Sequence, residues 1–323
     1  MRSIQTQQTF SLSSVKPLER LLHYRDYCLS ATREAIRHGG RRLERSPVTG
    51  SVLQPYGTIE GLAYFRCPDS GSVFLADRPD PSAWGRLLAQ VSHYRHSPEA
   101  FHADLAQSRT DHVYAPKLEW IEDALQLQEL HRPQVLEVVT APSDFTRMLN
   151  ESRAFHDVST VDETALSNAA PGGAREPLVQ AAVLLESLDR AYDPVALLGG
   201  VVNRLVDGGL VFVTALVASG FDMAVLGLHN RYLSPPDRAN CFSLEGLCTL
   251  LRNTGFTLLE VSTPGVLDVE IIRAHLQHDP SLRLSVFEQQ ILKASRDAQE
   301  AFQTFLQQQG LSSFARIVAR KHS

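Results

Sequence analysis

The sequence predicts an α/β protein with a parallel or mixed sheet covered by helices on both faces. Three observations predict it. From residue 133 onward, short apolar runs alternate with amphipathic stretches. The runs "QVLEVV", "VQAAVLLES" and "LVFVTALV" are largely apolar, as strands buried on both faces are. Helix signals fall where the alternation needs them: Ser143 is a credible N-cap, and Gly255 stops a helical pattern.

The elements are taken in order. Residues 1–45 carry a helical pattern, "LERLLHYRDYCLSATREAIRHGG", which ends on Gly39 and Gly40. Residues 46–80 are short β-type runs broken by turn residues, which predicts a small β-ribbon. Helical spacing returns over 83–130, with Trp84, Leu87 and Leu88 on one face and Trp120, Ile121, Leu125 and Leu127 later. His93, His96 and His102 lie on polar helical ground. No cysteine or carboxylate completes ligand spacing there, so a solvated face is the simpler reading than a metal cluster. Next come the strand "QVLEVV", the helix "SDFTRMLNES", the strand "HDVSTVD", a loop, and the strand "VQAAVLLES". "DPVALLGGVVNRLVDGG" reads as a helix, 210–217 as a strand, "SLEGLCTLLRNTG" as a helix and "FTLLEVSTPG" as a strand. One polar amphipathic helix over about 285–309 precedes a last strand, "SSFARIVARK".

Composition excludes some functions. The chain has 323 residues, 43% hydrophobic and 21% charged, which suits a globular protein with a large core. A net charge of −5 and a pI near 6.2 give no electrostatic footprint for nucleic acid. Cys28, Cys67, Cys241 and Cys248 form no CxxC pair, which fits a reducing cytoplasm better than a disulfide framework. The N-terminus has an early arginine without a following apolar run, so no secretory signal is expected. The most apolar stretch, 208–228, is interrupted by Gly220 and Asp222, and reads as a buried strand and loop rather than a membrane span.

On several of these segments the chain resembles the class I S-adenosylmethionine-dependent methyltransferases. It is most similar to a bacterial group with a small N-terminal zinc-binding module, which includes sugar C-methyltransferases. "VLEV…DFTRML" is similar to the family's first strand and helix, and "VD" at 161–162 to the end of its second strand. "AAVLLESLDRAYDPVALLGGVVNRLVDGGLVFVT" resembles the stretch from the fourth strand through the fifth. "SPPDRANCFSLEGLCTLLRNTGFTLLEVSTPG" resembles the substrate-side loop, helix and sixth strand, and "LSSFARIVARK" the terminal strand. The resemblance implies a Rossmann-like sheet. It places Glu137, Val139, Ala141, Ser143 and Asp162 around the cofactor, with Asp162 where an acid holds the ribose. It divides the chain into 1–82, a helix with a zinc-ribbon-like module; 83–130, a helical connector; and 131–323, the α/β domain with a helical insertion at about 266–310.

The departures from the family pattern are specific. Its G-x-G-x-G turn is here Val139, Ala141 and Ser143 at the glycine places. Glycine serves there because it allows positive φ and leaves no Cβ where the cofactor meets the backbone. Val139 is β-branched, and Pro142 fixes its own φ and biases Ala141 towards extended conformations. Only 18 residues, 163–180, separate Asp162 from the next strand. A helix, a strand of about 5–6 residues and their connections do not fit, so the third strand, an edge strand, is expected to be missing.

The catalytic and metal sides depart as well. The family's L-E-H is here Leu185-Glu186-Ser187, and its P-P-x-H is Pro235-Pro236-Asp237-Arg238, so both histidine places are empty. Glu186, His229, Tyr232 and Arg238 remain as candidates for acid, base or substrate contact, each with a structural or solvent-facing role as the simpler alternative. The zinc pattern keeps its Pro and Gly but presents Ser46, Thr49, Cys67 and Ser70 where four thiolates would stand. Hydroxyls are poor zinc ligands, so no structural zinc is expected. Tyr56, Leu62, Tyr64, Phe65 and Phe74 are then left to hold the ribbon by apolar packing.

These departures concern chemistry, while core signals in the same segments persist. The expectation is a methyltransferase-fold protein without a cofactor, acting as an accessory or binding protein for another protein subunit or a small molecule. The alternative is an active enzyme that uses S-adenosylmethionine on a small molecule such as a sugar nucleotide, since methyl transfer rests mainly on proximity and orientation. Neither reading calls for nucleic acid or a membrane.

Overall fold

The computed structural model describes residues 10–37, 39–95, 97, 104–168 and 177–322. The N-terminal part comprises α1 (Leu12–Val15), α2 (Leu18–Arg37), β1 (Arg41–Arg42), β2 (Gln54–Ile59), β3 (Leu62–Arg66), β4 (Val73–Leu75) and β5 (Asp77–Arg78). Three helices follow, α3 (Pro81–Arg95), α4 (Ala106–Arg109) and α5 (Ala115–Leu127), the last two joined by a wide turn at Thr110–Tyr114. Then come β6 (Gln134–Val139), α6 (Asp144–Glu151), β7 (Asp157–Asp162), α7 (Glu163–Ser167), β8 (Val179–Leu185), α8 (Ser187–Arg190), α9 (Pro194–Arg204) and β9 (Leu205–Leu216). The chain continues through α10 (Phe221–Leu226), β10 (Asn240–Cys241), α11 (Leu244–Asn253), β11 (Phe256–Ser262), α12 (Asp268–His278), α13 (Val286–Lys293), α14 (Arg296–Gln308) and β12 (Phe314–Lys321).

The expected α/β fold is present. Six strands form one mixed sheet in the order β11-β12-β9-β8-β6-β7. Strands β7, β6, β8 and β9 run parallel, and β12 runs antiparallel between β9 and β11. The period of two in each strand builds two cores. Leu136, Val138, Ala182, Leu184, Val211 and Val213 face α9 and α11. Val135, Ala181, Val183, Leu210 and Phe212 face Trp120 and Ile121 of α5 and Phe145 of α6. Among the described residues β7 is the edge of the sheet, and no third strand lies beyond it.

The ribbon β2–β3–β4 is antiparallel and gains β10 as a fourth strand, with Asn240 opposite Phe74. This pairing joins the N-terminal part to the loop after β9. Leu62 and Tyr64 pack with α2 and α3, while Phe74 meets Phe242 edge-on at 5.7 Å in the other core. Tyr56 is an exception among the expected packing residues: it is 37% exposed and lies beside the Arg66 guanidinium.

Two boundaries differ from expectation. The single helix over 285–309 is two helices, because Ser295 caps a new one through Ala298 N while Ala294 is extended. The helix from Pro194 ends at Arg204, not at the Gly pair. Leu205 pairs with Val179, and Gly208, at φ +76°, accommodates an irregularity inside a longer β9. Ser143 caps α6 as expected, and Thr146 completes the capping box from the third position.

Candidate functional site

In open α/β sheets the ligand crevice lies outside the carboxyl ends of the strands, where the strand order reverses. Here that point is at the ends of β6 and β8, because the chain passes from β6 to β7 on one side and then to β8 on the other. Three turns meet there. Thr140, just after β6, donates its hydroxyl to Glu163 Oε1 at 2.8 Å. Glu163 is the first residue of α7, after β7. Arg190, at the end of α8 after β8, donates Nε to the same Oε1 at 2.5 Å. One carboxylate thus binds the ends of three parallel strands. It is buried, and burial pushes its pKa up against the pull of Arg190. Ser187 adds a further tie by donating its hydroxyl to Val138 O at 2.9 Å.

The residues expected around a cofactor are placed as follows. Glu137 is buried within β6, and burial raises its carboxyl to about 7, against a hydrogen bond from Thr146. Val139 and Ser143 are partly buried, and Ala141 is exposed. The Ser143 hydroxyl is spent on the α6 cap, accepting from Phe145 N and Thr146 N. Asp162 ends β7 and caps α7: its Oδ1 accepts from Thr164 N at 2.9 Å and from Ala165 N at 3.0 Å.

Of the four catalytic candidates, Glu186 and Arg238 are brought together. Glu186 sits at φ +62° and receives Lys117 Nζ at 3.3 Å and Arg238 Nη2 at 2.5 Å. Arg238 Nε is also 3.3 Å from the fully buried Asp189. Of the two simpler roles, Arg238 has the structural one: two carboxylates draw it inward. Burial alone would raise Glu186, but Arg238, Lys117 and Lys16 hold it well below the usual carboxylate range. A carboxylate so stabilised is a weak general base. Burial raises Asp189 to about 7 in spite of Arg238.

His229 and Tyr232 belong to a separate group. His229 is in a short helical turn with its ring 6.3 Å from that of His275. Tyr232 lies beneath the Lys16 ammonium, 4.2 Å from the ring centre. Lys16, Lys117, Thr140, Glu163, Asp189 and Arg190 escaped the sequence reading. Only Glu163 left a trace, as the acid following Asp162.

The zinc-pattern residues also come together. Ser46–Gly50 and Cys67–Gly71 form matching turns, each closed by a glycine N–H to carbonyl bond of 2.9 Å at positive φ. Cys67 Sγ is 3.4 Å from Thr49 Oγ1. Burial pushes the thiol up, but hydrogen bonds with Ser46, Ser70 and Thr49 bring it down to about 7. Among the described residues no group of three or more His, Cys, Asp or Glu side chains could hold a metal. His93 lies in the last turn of α3, while His96 and His102 lie outside the described residues. No described helix is long and apolar enough to cross a membrane.

No protein-family model and no curated protein match the chain. Solved structures resemble it loosely. The Burkholderia thailandensis 1,6-didemethyltoxoflavin-N1-methyltransferase, with bound S-adenosylhomocysteine, is 13% identical at a TM-score of 0.43; the match covers 84% of this chain and 100% of that one. The plantazolicin methyltransferase BamL is 15% identical at 0.40, covering 74% and 96%. The [4+2]-cyclase SpnF is 19% identical at 0.35, covering 63% and 81%. Likeness of this degree carries no argument about reaction or ligand, and the fold assignment rests on the sheet itself.

Proposed function

We propose that this chain is a methyltransferase-fold protein that acts by binding another protein subunit or a small molecule, without transferring a methyl group. The observation that carries the reading is the Thr140–Glu163–Arg190 chain across the strand ends. A sulfonium nucleoside in the crevice would need close approach to the backbone at 139–143 and free space outside the strand ends. Val139, Pro142 and the shared Glu163 carboxylate meet neither need, so these residues do not fit that group. The surface offered to a partner includes α13 and α14, where Val286 is 72% exposed, Phe287 55% and Phe305 48%.

The second reading, an active methyltransferase on a small molecule such as a sugar nucleotide, draws its support from Asp162. That residue is exposed at the end of β7, the expected ribose position. Thermal unfolding with S-adenosylmethionine and S-adenosylhomocysteine separates the two. A bound ligand at about 100 times its Kd stabilises by about 2.7 kcal/mol. Binding without methyl transfer predicts no saturable shift with either nucleoside, and a clear shift supports the enzyme.

A further inference from the structure

Away from the crevice, a second concavity opens between the N-terminal segment, α2, α10 and α12. It encloses about 320 Å³ of empty space with its open mouth counted. Leu12, Leu21, Leu226 and Ile271 make it apolar. The polar lining is Lys16, Arg231, Tyr232 and His275.

His275 is the telling residue. It lines the cavity and is only 5% exposed, yet neither Nδ1 nor Nε2 has a hydrogen-bond partner among the described residues. A buried polar atom left unpaired costs about 1–3 kcal/mol, so both ring nitrogens call for an occupant. Burial and the Arg231 charge hold the imidazole below its ordinary range, so near neutrality it offers one N–H donor and one acceptor. Around it, Arg231 is fixed by donating to Ala274 O and His275 O, and Lys16 by its place over Tyr232. Burial lowers Lys16 to about 8, which leaves it mostly charged at neutral pH. Beside the cavity, Glu270 accepts from Leu12 N at 2.9 Å. Glu186 and Asp222 also face Lys16, and Asp279 faces Arg231, but the cavity lining itself holds two cations and no carboxylate.

We propose that this cavity binds a small monocarboxylic acid with an apolar body. The carboxylate meets Lys16 and the His275 N–H, and the apolar part rests on Leu12, Leu226 and Ile271. Leu12 of the short helix α1 forms one wall. That wall is held where Leu12 N donates to Glu270, Ser14 O accepts from Ser108, and Val15 O accepts from Arg109. The proposal needs neither the presence nor the absence of a nucleoside in the crevice, so its failure would leave the reading above untouched.

The test uses the full chain with phenylacetate and hexanoate as probes, and phenylacetamide and acetate as controls. Thermal shift and the ring signals of 13C-labelled histidine are followed together. Phenylacetate is expected to raise Tm saturably and to move the His275 ring signals, with the amide weaker by at least about tenfold. Lys16→Met, at a partly exposed position, is expected to weaken phenylacetate by about tenfold, and His275→Phe to abolish binding. If His275→Phe fails to fold, Lys16→Met and the ring signals decide alone. No saturable binding to the folded protein, equal binding of the amide, or affinity unchanged in Lys16→Met would overturn the proposal.

Discussion

Arg190 Nε and Glu163 Oε1 meet at 2.5 Å across the carboxyl ends of the parallel strands, and the Thr140 hydroxyl joins the same oxygen from the third strand end. Both side chains of the ion pair are largely buried, at 11% and 3% exposure. Removing one member of such a pair strands the other without water, which typically costs about 3–5 kcal/mol. Glu163→Ala is therefore expected to destabilise by about that amount in urea unfolding. A loss below about 1 kcal/mol would mean that the pair behaves like a surface salt bridge.

The placement of α7 depends on Gly200 in α9. A Cβ there would lie 2.5 Å from Leu166 O and 2.9 Å from the Leu166 side chain, both in α7. Backbone cannot give way cheaply, so Gly200→Ala must push α7 outward and loosen Glu163 from Arg190. Overpacking of this kind typically costs about 1–3 kcal/mol, in spite of alanine's better helix propensity. An unchanged or raised midpoint would show that α7 is not held as described.

Three buried carboxyls make stability depend on pH. Burial raises Glu137 and Asp189 to about 7, and raises Asp222, with help from the Asp268 charge, to about 8. In the unfolded chain such groups titrate near 4, so between about pH 4 and pH 8 the folded state holds protons the unfolded state has lost. Their contribution is complete below about pH 4 and is lost as pH rises through 7 to 8. Glu186, held low, works in the opposite sense and is lost only on acidification. Tm is therefore expected to fall between pH 5.5 and pH 8, and Asp222→Asn to flatten that decline. A Tm that rises over this range contradicts the assignment.

The zinc-like turns give a constructive test. They keep the hydrogen-bonded geometry of Ser46–Gly50 and Cys67–Gly71 while lacking thiolates at Ser46, Thr49 and Ser70. The triple variant Ser46→Cys, Thr49→Cys and Ser70→Cys is expected to bind about one zinc per chain, as four thiolates at such turns do. The unaltered protein is expected to bind none. Elemental analysis with about one zinc on the unaltered chain would refute this account of the ribbon.

The sheet was legible in the sequence because strands buried on both faces are written as apolar runs, and their order of appearance limits the topology. "QVLEVV" and "LVFVTALV" needed no other signal, and Ser143 announced its helix. The division of 285–309 was legible only through Ser295, whose capping role competes with a continuous amphipathic stripe. The site was largely illegible. Lys117, Glu163 and the Glu186–Arg190 turn are separated by tens of residues and meet only because the fold brings α5 and the ends of the parallel strands together. The structural role of Arg238 was not separable from a solvent-facing one, because a loop position gives no hint of the two carboxylates that draw it inward. His275 carried no motif at all; only its burial beside a cavity distinguishes it.

The central claim is that side chains of this chain hold the space at the strand ends where a sulfonium nucleoside would lie. Crystals grown with a large excess of S-adenosylhomocysteine test it most directly. The account predicts Thr140, Glu163 and Arg190 still joined and no nucleoside between them. A nucleoside lodged in full against residues 138–143, with Glu163 displaced from Arg190, would contradict it.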